Sequence, residues 1–274
     1  MSGILQPETM KPDVRRWTGI SAIAVAALMA AEFFTAALGV GAAPPLSDET
    51  ALGQFMTGAA NATLLVIFID TFLMASLVVF LASFRQLITR ARADMQWVAD
   101  LGYGAGLVFV AVTLVGDAMD GGAALDTVKQ PADGSVIRAL TEGHILMFGS
   151  VGCVMTALIV AAAGYVTFAS ATLPRWTGWL AFVVAALNLL TVPAMFNGTS
   201  STDLFSAGGP GVTALATFPF LVWVAIVGIV TIRGTHHHTM RRAKAAAQGA
   251  AAKARAQAGE GAGAGADAEA EVRS

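Results

Sequence analysis

The chain has 274 residues, of which 56% are hydrophobic and only 12% charged, and its mean hydropathy is +0.68. A soluble globular chain is about 25% charged, so this composition excludes an ordinary soluble domain and points to a lipid bilayer as the main solvent. The net charge of −2 provides no basic field for nucleic acid, and the single cysteine, Cys153, excludes an internal disulfide or a multi-cysteine metal site.

A helix needs about 20 mostly apolar residues to cross a hydrocarbon core of about 30 Å. Six stretches qualify, at roughly 17–41, 60–84, 101–118, 144–169, 176–196 and 212–232. The first is too long for the core of a signal peptide and reads as a retained helix. All six are too long for the strands of a membrane barrel. The expected fold is therefore all-α, a polytopic bundle of six spans. The expected division is 1–16 as an N-terminal segment, 17–234 as the bundle and 235–274 as a tail.

Between the first two spans, Pro44-Pro45 and the run LSDET predict a rigid exit and a short surface helix capped by Ser47. The stretch 119–143 is expected as the longest loop, with Asp120-Gly121-Gly122 and Pro131-Ala132-Asp133-Gly134 as its turns. A third loop, 197–211, is polar and rich in glycine. Beyond about 240 the chain has no apolar face to bury, and 259–274 is expected to be disordered. His236, His237 and His238 read as a solvated run near the headgroups.

Orientation follows from Lys and Arg. With the N-terminus cytoplasmic, Lys11, Arg15, Arg16, Arg85, Arg90, Arg92 and Arg175 fall inside. So do Arg233, Arg241, Arg242, Lys244, Lys253, Arg255 and Arg273, while only Lys129 and Arg138 fall outside. Both termini are expected in the cytoplasm, and the cell membrane, a bacterial inner membrane, is the expected location.

Ionisable groups at mid-membrane cost about 2.5–3.5 kcal/mol even on lenient scales, which makes them candidates for function. Glu32 lies in the first span, Asp70 near the middle of the second and Asp117 near the end of the third. His144 is expected to open the fourth span, and Asn188 sits midway along the fifth. Together they predict an outward-facing pocket for a proton, a cation or a small solute. The bland alternative is that these groups are hydrogen-bonding struts between helices.

No cofactor is expected. Thioethers and imidazole suit Cu(I), but no Met-x-x-Met cluster is present, and a haem between helices would need more intramembrane histidines than His144. No phosphate loop, dinucleotide fingerprint or metalloprotease motif occurs. The run LPRWTGWLAFVVAALNLL at 173–190, followed by SAGGPGVTAL, resembles bacterial six-helix integral membrane proteins of unknown function. That resemblance implies the fold and the location and no chemistry. The leading functional reading is small-solute or proton-linked transport through that outward-facing polar pocket. A non-catalytic accessory or scaffold subunit is the alternative, and an outward-facing enzyme around Asp117, Asp120, Glu142 and His144 is the third. The expected partners are the bilayer, the solute or proton, and a second copy or a membrane subunit.

Overall fold

A computed structural model describes residues 13–128, 133–170 and 172–234. The tail, the histidine run and Lys129 lie outside the described residues. Two compact units are defined, 1–231 and 232–274. In the second, residues 232–234 are helical.

Six helices are long and apolar enough to cross a membrane, and the described residues contain no strand. They are α1 (Val14–Val40), α2 (Glu49–Ala91), α3 (Ala93–Asp126), α4 (Gly134–Ser170), α5 (Arg175–Asn197) and α6 (Pro210–Gly234). The hydrogen-bonding logic of a bilayer explains the choice, because a helix satisfies every backbone group within one segment. Side-chain hydroxyls follow the same rule. Thr18, Ser21, Thr71, Thr167 and Thr231 each donate to a carbonyl one turn back in their own helix.

Helix starts are set by aspartate and proline. Asp13, Asp48 and Asp133 accept from the first free amides of α1, α2 and α4, at 3.0–3.2 Å for the shortest backbone contact of each. Pro174 precedes α5 and Pro210 opens α6, where a missing N–H costs nothing. At one end of the bundle Arg15 donates to the carbonyl of Thr172 at 3.1 Å and Arg92 to that of Ala169 at 2.9 Å. Two arginines thus serve the carbonyls at and just beyond the end of α4, as cations near helix C-termini do. Trp17, Trp97 and Trp176 are all exposed near the starts of α1, α3 and α5. They mark a ring of the kind found at membrane–water boundaries.

The loops at the opposite end are shorter than the sequence predicts. The helix α2 begins at Glu49, not near 60, and its cap is Asp48 and not Ser47. It runs 43 residues, about 65 Å, so it extends well beyond a hydrocarbon core. The expected 119–143 loop is largely helix, because α3 continues to Asp126 and α4 starts at Gly134. Local turn chemistry lost to packing here. Leu52, Met56 and Ala60 of α2 bury themselves against Leu46, Ala123, Ala124 and Ile137 in a second small core. Gly121, expected in a turn, lets α3 approach α2, since a Cβ there would stand 3.2 Å from Ile67.

The main core occupies the arginine-bearing half. Leu77, Phe80, Trp223 and Val224 are fully buried, and Trp223 lies between Phe80 and Phe220 with ring centroids 6.5 and 6.1 Å away.

Candidate functional site

Three helices leave α geometry near one level of the bundle. Ala36–Val40 in α1, Met147–Val151 in α4 and Thr213–Thr217 in α6 are π-helical turns. In α6 the cause is legible: Pro219 has no N–H and cannot continue the ladder. In α1 the turn ends at Gly41, whose φ of 77° is left-handed and whose amide donates to Ala36 at 3.0 Å. Wide turns of this kind are frequent at functional sites, and all three contribute residues to the same cavity.

That cavity has a volume of about 240 Å³. Its polar lining is Glu32, Asp70, Thr156, Asn188, Thr213 and Thr217, and the remainder is mainly aromatic, thioether and aliphatic. Phe33 of α1 and Phe218 of α6 meet edge to face at its margin, with centroids 4.8 Å apart. The packed layer of Phe80, Phe220 and Trp223 lies toward the arginine-bearing end.

Asp70, the middle residue of α2, is 3% exposed, and its side chain lies within hydrogen-bonding reach of both Glu32 and Asp117. His144 stands close to Asp117 and stacks on Phe148 at 6.0 Å. Gly116 permits this approach of α3 to α4, for a Cβ there would sit 3.5 Å from His144 Nδ1. The result is a line of ionisable groups, Glu32–Asp70–Asp117–His144, crossing four helices. Counted from the tryptophan ring at 1.5 Å per residue, Glu32 lies about 22 Å and Asp117 about 30 Å along its helix.

An ionised carboxylate only accepts hydrogen bonds, so two carboxyls in contact form one only when a proton sits between them. With both ionised, Asp70 Oδ2 and Asp117 Oδ2 have no donor. Eight buried side-chain polar atoms lack a partner among the described residues, and six belong to Thr63, Asp70, Thr113, Asp117, Thr141 and His144. Each such group costs about 1–3 kcal/mol. Thr63 shares a helix face with Asp70, Thr113 with Asp117 and Thr141 with His144. The cost is therefore concentrated along one line instead of scattered through the bundle.

All five residues singled out in the sequence fall in one region. Glu32, Asp70 and Asn188 line the cavity, while Asp117 and His144 extend the line away from it. His144 does not open α4; it lies ten residues after Gly134, next to the wide turn. Asn188 donates to Val184 of its own helix at 2.9 Å. Sequence reasoning missed Phe148, Thr156, Thr213 and Thr217, and Pro219 was the available signal for the last two. Among the described residues no group of three His, Cys, Asp or Glu side chains is arranged to hold a metal ion.

No family model matches the chain, and no curated protein or solved structure resembles it significantly.

Proposed function

We propose that this multi-pass membrane protein transports a small solute in exchange for protons carried on Glu32, Asp70 and Asp117. The observation that supports this most is the contact of three carboxyl groups at mid-bundle, one end of which opens on a cavity. Helix struts need one hydrogen bond each, whereas a line of three carboxyls and an imidazole has room for protons to move between neighbours. The cavity would face outward, away from the packed arginine-bearing half. That orientation rests on the division of fourteen basic residues from two and puts both termini in the cytoplasm of a bacterial inner membrane.

The test is proton flux into proteoliposomes carrying a pH-sensitive dye, driven by an outward gradient of each member of a solute panel. Flux that depends on one solute and vanishes in Asp70→Asn is the expected result. Solute-independent silence across the panel, with intact protein, would leave the scaffold reading as the better one.

A further inference from the structure

We propose that the cavity binds a lipophilic monovalent organic cation, an aromatic ammonium being the simplest case, whose charge replaces a proton on the Glu32–Asp70 pair. The proposal rests on the transport reading above and adds its substrate class.

The walls select the ligand by elimination. Two acids, Glu32 and Asp70, line the cavity, and among the described residues no Lys, Arg or His does. An anion would meet like charge with no cation to offset it. Asp70 is 97% buried and no N–H or O–H of the described residues reaches its Oδ2, so this carboxyl oxygen is an acceptor without a donor. A hydrated polyol needs many hydrogen-bonding partners, yet Phe109, Phe148, Phe218, Phe220, Met29 and Met74 make most of the surface apolar. A bare divalent cation needs several converging ligands, and no group of three His, Cys, Asp or Glu side chains among the described residues is arranged to hold one. A purely apolar solute would leave the two acids unused. What remains is one positive charge on an apolar body. Aromatic rings attract such a charge across their faces, and about 240 Å³ accommodates a single-ring amine.

Exchange follows from charge balance. In a low-dielectric cavity an ionised carboxylate requires a compensating cation. When the organic cation arrives, a proton leaves the carboxyl line, and when a proton returns, the organic cation is released. The net charge of the site is the same in both states. The titratable groups concerned are Glu32 on α1, Asp70 on α2, Asp117 and Asp120 on α3, and His144 and Cys153 on α4. The parts of α5 and α6 that line the cavity contribute Asn188, Thr213 and Thr217, which do not titrate.

Benzyltrimethylammonium is the probe, because it is small, aromatic and permanently charged and carries no proton of its own. Its neutral isostere is neopentylbenzene. Binding of both to the full-length protein in nanodiscs is measured by titration calorimetry. The cation is expected to bind at least about tenfold more tightly than the isostere, and more weakly as the pH is lowered. Asp70→Asn and Glu32→Gln should each weaken the cation about tenfold and leave the isostere unchanged. Equal binding of cation and isostere to the parent protein overturns the proposal without recourse to any variant. So does cation binding that neither Asp70→Asn nor pH alters. Asp70-dependent proton flux with no cation binding removes this inference alone, whereas absence of Asp70-dependent flux with every solute removes the transport reading beneath it.

Discussion

Asp70 on α2 and Asp117 on α3 hold their carboxyl groups within hydrogen-bonding reach of one another. Neither is an end residue of its helix. A hydrogen bond between them requires a proton on one of the two, because an ionised carboxylate only accepts.

This relationship separates two roles by substitution. An amide keeps the size and polarity of the carboxyl but does not titrate. Asp70→Asn is expected to melt within a few degrees of the parent and to lose proton-linked flux entirely. Asp70→Ala should lose both flux and stability, by about 1–3 kcal/mol, since it strands the neighbouring acids without a partner. Thermal scans of purified protein beside the flux assay check this, and a fully active Asp70→Asn would end the proton-carrier role.

The junction of α4 and α5 is built on glycine. A Cβ at Gly164 would stand 3.1 Å from the carbonyl oxygen of Gly178 and 3.2 Å from Ala181 Cβ, so backbone would have to move. At Gly178 a Cβ would stand 2.8 Å from the ring of Phe168 and 3.2 Å from the carbonyl oxygen of Gly164, so a side chain would have to shift first. Small residues allow close helix approach in membranes. Gly164→Leu is expected to destabilise by about 1–3 kcal/mol or more and Gly178→Ala by less. Melting temperature and monodispersity on size exclusion measure the difference; a Gly164→Leu protein as stable as the parent would contradict the packing.

The capping aspartate of α4 makes a pH-dependent contribution. The hydroxyl of Ser135 and the amides of Ser135 and Val136 hold the Asp133 carboxyl below the usual aspartate range. Because the folded value is lowered, the stabilisation is full above the ordinary aspartate pKa and is lost as pH falls through the folded one. Asp133→Ala should therefore lower the melting point at neutral pH, and the gap from the parent should close in acid. Asp133→Asn should keep much of the cap with a flatter pH response. Melting curves across pH decide, and a gap constant with pH would refute the charged cap.

Orientation is testable by labelling. In a Cys153→Ala background, a cysteine at the exposed Phe205 is expected to react with an impermeant maleimide added outside intact cells. One introduced at Ala246 should react only after permeabilisation. The reverse pattern at either position overturns the assignment of cytoplasmic termini.

Hydropathy is a local property, so the sequence alone determined that there are six spans and which buried positions are costly. It also placed Glu32, Asp70 and Asn188 at depths where lipid cannot solvate them. The rotation of each helix about its axis is not local. It depends on where small residues let neighbours close in, such as Gly102 against Ala162 or Gly116 against His144. Only that packing decided that Asp70 reaches both Glu32 and Asp117. The extension of α2 back to Glu49 has the same origin, because Leu52 and Met56 find a partner only once Ala123, Ala124 and Ile137 have folded against them. The wide turns at Met147–Val151 and Ala36–Val40 carry no strong signature in the chain.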